Sequence, residues 1–171
     1  IEIATNSFSK KEYLKVVEIT IPFARYADTV QVVKLLVLTA NAYFFLQDYI
    51  LAIQYFDYLI NTLNILKQKD EPGRALNYTQ AYQNQSLCYF NLGANGEALE
   101  QIQKSIMWCK QGLKNDDKMK EGYEMLIKSV YVTKAMYEFA LKKNKQACLS
   151  WNMAKEYGQT GDEYGFDALC K

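Results

Sequence analysis

From Ala81 to Trp108 the chain reads AYQNQSLCYFNLGANGEALEQIQKSIMW, and its small and large residues recur at helical spacing. Tyr82, Ser86 and Tyr89 lie four and three residues apart and share one helix face, as do Ala98, Ile102 and Ser105. Small residues let two helix axes approach, and large ones fill the space beside them. Gly93 and Gly96 bracket the turn between the two halves, and Asn95 is suited to cap the second helix. The stretch predicts a helical hairpin built to stack.

The same patterning extends both ways. Ile1 to Asn6 reads as a short lead-in without the basic start or apolar run of a signal peptide. Ser7 or Ser9 then caps a helix running to about Thr20, with Phe8, Leu14 and Val17 on its apolar face, and Pro22 forces a break or a new start. From Asp28 to Ile60 the chain is very apolar. Lys34 and Asn41 interrupt the run Val32 to Phe45 and Asp48 follows it, short of the about 20 apolar residues a membrane span needs. A helix buried on most sides of a stack is expected there. Gln47 to Gln68 predicts a helix capped by Asp48 with Ile50, Ile53, Phe56, Ile60 and Leu63 inward, and KQKDEPGRA from Lys67 to Ala75 predicts a loop between repeats. The polar stretch Gln111 to Gly122 is expected as a solvated loop turning helical near Asp116 or Asp117. The next helix then runs to about Lys142, Asn144 caps the last long one, and Gly158 ends it. Glu163 to Cys170 would be a truncated helix or a cap, which repeat arrays need at their ends.

These residues resemble the tetratricopeptide repeat, whose positions are taken here by Tyr82, Ser86, Tyr89, Ala98, Ile102 and Ser105. The same steps give Leu36, Ala40, Tyr43, Ala52, Phe56 and Leu59, with LQDYILA where the family has its turn, and again Tyr131, Ala135, Glu138, Ala147, Trp151 and Ala154. Phe8 to Ile19 looks like the second helix of a repeat whose first helix is missing, with Tyr13 in the place of the signature Ala. The chain departs from the family where Glu138 and Ile102 replace aromatics and Leu59 and Ser105 replace Ala. Its registers are 46 and 49 residues apart (Ala52 to Ala98, Ala98 to Ala147), against about 34 in the simplest repeats. The resemblance implies an all-α fold of antiparallel helical hairpins stacked as a superhelix, residues 1–171 forming one domain. An up-down helical bundle is the alternative. A start at Ile1 without Met suggests a segment of a longer protein.

In tetratricopeptide domains the first helices line a concave groove. Carried over, the resemblance implies a partner-binding groove of Lys34, Val37, Asn41, Phe44 and Phe45, then Gln83, Leu87, Phe90 and Asn91, then Val132, Met136 and Phe139. Phe44, Phe90 and Phe139 are equivalent. Only Lys34, Asn41 and Asn91 suit a clamp for a terminal carboxylate, so the groove fits a protein partner's helix or extended segment. The competing reading packs these rings inside the stack.

Composition narrows the chemistry. With no histidine the chain lacks the commonest general base and metal ligand, and it has no phosphate-cradling Gly-rich loop and no CxxC. Cys88, Cys109, Cys148 and Cys170 stand 21, 39 and 22 residues apart. They are expected as small core residues in a reducing, cytoplasmic compartment, with two disulfides or a Cys-only zinc site as alternatives. No catalytic residue, cofactor or metal is expected, and Asp116 with Asp117 reads as an exposed loop pair, so the chain is not read as an enzyme. A net charge of +1 asks for no nucleic-acid partner. Two arginines against many lysines, with frequent Asn, Gln, Tyr and Ile, fit an AT-rich genome such as a protist's. The expected role is a protein-protein interaction scaffold within a larger assembly, cytoskeletal or ciliary. The alternative is a regulatory sensor that binds a peptide or small apolar ligand.

Overall fold

The computed structural model describes residues 1–23, 29–66 and 73–171. Among them are nine α-helices and no strand: α1 (Glu2–Ser9), α2 (Tyr13–Phe23), α3 (Thr29–Phe45), α4 (Tyr49–Ile65), α5 (Arg74–Asn91), α6 (Asn95–Asn115), α7 (Lys120–Ala140), α8 (Asn144–Glu156) and α9 (Phe166–Leu169). Sequential neighbours pack together, and α1 with α3, α3 with α5, and α5 with α7 also touch. The odd-numbered helices therefore form one layer and the even-numbered ones back it. The all-α class is as expected. None of the described helices is long and apolar enough to cross a membrane.

One turn joins the two helices of each of four hairpins. At the end of α5 the Gly93 N–H donates to the Phe90 carbonyl and the Ala94 N–H to the Tyr89 carbonyl, with Gly93 at φ +76°. This is a Schellman closure, which satisfies carbonyls left over at a helix end. Lys11 and Glu12 bond Phe8 and Ser7 in the same way, Gln47 and Asp48 bond Phe44 and Tyr43, and Lys142 and Lys143 bond Phe139 and Glu138. Lys11, Gln47 and Lys142 take φ +61°, +62° and +59°, where an L side chain costs about 1 kcal/mol. A Phe stands at the same place in every copy. Val16, Ala52, Ala98 and Ala147 follow it by eight residues each and are all buried, so the hairpin turn is of constant length. The extra length of these repeats lies wholly at the opposite ends of the helices.

That repetition corrects the reading of the N-terminus. The lead-in is helical as α1, so a first helix does precede α2, and Val16, not Tyr13, is the buried residue equivalent to Ala52, Ala98 and Ala147. Leu14 is exposed, while Val16 and Thr20 face the core, because α2 begins only after the turn at Lys11. Pro22 lies inside α2 rather than at a break, one residue before the helix's last described position. Ile50 is likewise exposed, and Ala52, Phe56, Leu59, Ile60 and Leu63 form the inner face of α4. Asp48 caps α4, its carboxylate accepting from the Leu51 N–H at 3.1 Å. Asn95 and Asn144 instead stand one residue inside their helices, because the closures end at Ala94 and Lys143. Most of the loop expected over Lys67 to Ala75 lies outside the described residues. No long loop forms at Gln111 to Gly122: α6 continues to Asn115, and a single 3-10 turn, Asp117–Met119, leads into α7. The polar residues there lie largely on solvent-facing helix surface. Asp116 is a linchpin, its carboxylate accepting from the Gly73 N–H at 2.8 Å and the Tyr123 hydroxyl at 3.1 Å.

The core has two parts that share α5. Leu36, Ala40, Ala52, Phe56, Leu59 and Tyr78 belong to the first, and Ala98, Ile102, Tyr123, Ile127, Ala135 and Trp151 to the second. Fully buried alanines at helix crossings allow the close approach that the pattern called for. Glu138, which stands where two other hairpins have Tyr43 and Tyr89, is buried with its charge answered. Its two oxygens take Lys134 Nζ at 2.7 Å and Ser150 Oγ at 2.6 Å. The cysteines divide. Cys88 and Cys109 are buried free thiols as expected, burial pushing both up to about 12, so they are unreactive. Cys148 and Cys170, expected as thiols, are joined by a disulfide.

Candidate functional site

The residues that the resemblance carried into a groove lie on the layer formed by α3, α5 and α7, and the chain uses them in two ways. Some stitch the first helices to one another. Asn84 Nδ2 donates to Asn41 Oδ1 at 2.8 Å between α3 and α5, and Gln83 Nε2 donates to Ser129 Oγ at 2.8 Å between α5 and α7. These amides are partly or wholly buried, and each bond answers a polar group that would otherwise lose solvent for nothing. Phe90 belongs to this class, because its ring stacks on Tyr137 of α7 with centroids 4.7 Å apart. Tyr137 is itself fully buried, its hydroxyl 3.1 Å from Ser86 Oγ. Desolvation raises its pKa, so it stays neutral. Phe90 is thus a packing residue between hairpins.

Others remain open. Lys34 and Asn91 are exposed, the Asn91 amide donating back to the Leu87 carbonyl at 2.8 Å. Val37, Leu87, Val132 and Met136 are half-buried, their inner sides on the core and their outer sides free. Phe139 is 44% exposed, with one edge on Phe166 of α9, centroids 6.2 Å apart. Phe44 and Phe45 form a separate group. Phe44 is half-buried and edge-on to Tyr49, while Phe45 is 51% exposed and stacked on Tyr13 of α2 at 4.9 Å, with Phe8 edge-on to both. Sequence reasoning missed this cluster because it placed no turn at Lys11. The Phe that recurs before each turn would have revealed it.

Among the described residues no group of three or more cysteines, aspartates and glutamates could hold a metal ion. Between α3 and α5, under the Asn41 to Asn84 bond, lies a cavity of about 20 Å³. Two wider clefts lie elsewhere and contain none of the groove candidates. One, of about 530 Å³, is bordered by Arg74, Trp108, Asp116 and Tyr123. The other, of about 680 Å³, lies beside α6 and is bordered by Leu99, Lys104, Met107 and Lys134. No protein-family model matches the chain, and no curated protein matches its sequence.

Proposed function

We propose that the chain is a non-enzymatic interaction module of the tetratricopeptide type, which holds a helix or extended segment of a protein partner along the row of its first helices. The observation that carries this reading is the fourfold recurrence of one hairpin, Phe before the turn and a small buried residue eight positions later. Stacked hairpins of fixed turn length present a continuous face with side chains at regular intervals, which is what an elongated partner requires. On that face apolar surface at Val37, Leu87, Val132 and Met136 alternates with polar groups at Lys34 and Asn91, beside the paired amides of Asn41 and Asn84. Apolar patches can take the ridge of a helix or alternate side chains of a strand, and amides can take its backbone. Nearly balanced charge favours a protein partner over a nucleic acid. A role in a larger assembly, cytoskeletal or ciliary, is what the composition suggests.

The sensor reading has less behind it. The cavity among the groove residues measures about 20 Å³, whereas small-molecule sites run to about 300–1,000 Å³, and the two clefts of that size are bordered by none of the groove candidates. The test is site-specific photo-cross-linking in the full-length protein, with the reactive residue at Lys34, at Asn91 or, on the other layer, at Met107. The expected result is one and the same protein captured from Lys34 and Asn91 and none from Met107. Capture from Met107 alone would place the partner on the even-numbered helices and overturn the groove reading.

A further inference from the structure

The outer side of the hairpin α7–α8 is covered by the segment that folds back from the Schellman closure at Gly158 and ends in α9. Phe166 does the covering. It is 2% exposed, lies against Trp151 with centroids 5.4 Å apart, and meets Phe139 edge-on. Phe166 thereby does for Phe139 what Tyr137 does for Phe90, so the strap imitates the first helix of a further hairpin. Its remaining bonds are few. Asp162 caps α9 through the Phe166 and Asp167 N–H groups, and the exposed Asp167 carboxylate takes the Trp151 indole N–H at 2.8 Å and Lys155 Nζ at 2.9 Å. A four-residue helix does not stand unaided, and an exposed ion pair adds little. The covalent tie is the disulfide between Cys148 of α8 and Cys170, beside the exposed Leu149 and Leu169.

We propose that this bridge is a redox latch: a dithiol reductant opens it, α9 lifts, and the apolar end of the stack at Trp151 and Phe139 is uncovered while the rest of the fold persists. The chemistry is ordinary exchange. A thiolate of the reductant attacks one sulfur, the Cys148–Cys170 bond breaks, and the leaving sulfur takes up a proton. The reductant's second thiol then displaces the protein from the mixed disulfide, leaving two protein thiols and one oxidised dithiol. Cys148 and Cys170 are both partly exposed residues, and Cys88 and Cys109 are already free thiols, so among the described residues this bridge is what a reductant acts on. This inference does not depend on the identity of any partner.

Trp151 reports on the latch directly. In a Trp108→Phe chain it is the single indole, and treatment with dithiothreitol is expected to shift its emission to the red and raise its quenching by acrylamide about two-fold. Far-UV circular dichroism should stay unchanged, and reoxidation should reverse the effect. A Cys148→Ser/Cys170→Ser chain should behave as the reduced form without reductant. Unchanged emission on complete reduction, with thiol content confirmed by mass, would show that Phe166 holds the strap alone. Loss of helicity along with the emission shift would show that the bridge is a structural tie for the whole domain. Either result overturns the proposal.

Discussion

The first hairpin packs on α3 through two helices, α1 and α2. Val16 of α2 is fully buried, the Thr39 hydroxyl reaches Thr20 at 2.6 Å, and the rings of Phe8, Tyr13 and Phe45 pack around the turn. The last hairpin is covered on its outer side by the four helical residues of α9, with one buried ring and a disulfide. Covering an end takes apolar area. Where a helix supplies that area no cross-link is needed, and where a short strap cannot, a covalent tie restricts the alternatives open to the unfolded chain.

The contrast can be broken from either side. Trp151→Ala, which empties the space under the strap, is expected to cost about 4 kcal/mol, and Val16→Ala at the other end about 2 kcal/mol, both read by urea unfolding. Next come the polar contacts that join helices near each end. Lys134→Met leaves the Glu138 carboxylate buried with only Ser150 for company and should cost about 3 kcal/mol, most of it recovered by adding Glu138→Met. Thr39→Val, which removes a neutral pair, should cost only about 1 kcal/mol. The turns are worth less. Lys11→Gly and Lys142→Gly, at the first and last hairpins, should each raise stability by about 0.5–1 kcal/mol, as left-handed backbone suits glycine. Gly93→Ala should do the reverse, since no atom lies within 4 Å of its missing Cβ and only backbone strain counts.

Acid is the gentlest probe. The Trp151 indole hydrogen bond, and after it Lys155, hold Asp167 below the usual carboxylate range. A carboxyl lowered in the folded state contributes above its unfolded value, and the contribution fades as pH falls through the folded one. The strap should therefore loosen towards the acid end of a titration from about pH 6 to about pH 2. In the Trp108→Phe chain, Trp151 emission should change before helicity does. Glu12 is lowered by Lys15 in the same sense, so the α1–α2 end follows the same direction and lacks only the indole signal.

Much of the hairpin pattern was legible because it is written in side-chain size. Ala52, Ala98 and Ala147 mark helix crossings that admit nothing larger, and Gly93 marks one turn. The other three turns were harder to see, since Lys11, Gln47 and Lys142 accept left-handed backbone without being glycine. The polar run from Gln111 reads as loop only while its exposed helix face is unknown. The resemblance carried all twelve groove candidates onto the first helices but could not separate Phe90, which packs on Tyr137, from Phe139, which is half free. The bridge was not legible either, because four cysteines allow several pairings and only the fold brings Cys148 within 5.3 Å of Cys170, measured between Cα atoms.

The constant turn has a consequence for how such a chain can change over time. With Phe and the buried residue always eight positions apart, one rim of the molecule is flush, like the spine of a book, while the far ends of the helices are trimmed unevenly: α8 has 13 residues, α4 has 17, and α6 and α7 have 21. A helical turn inserted or deleted at the ragged rim alters the reach of one hairpin and leaves the alignment of its neighbours untouched. The spine keeps register, so the outer margin is free to vary.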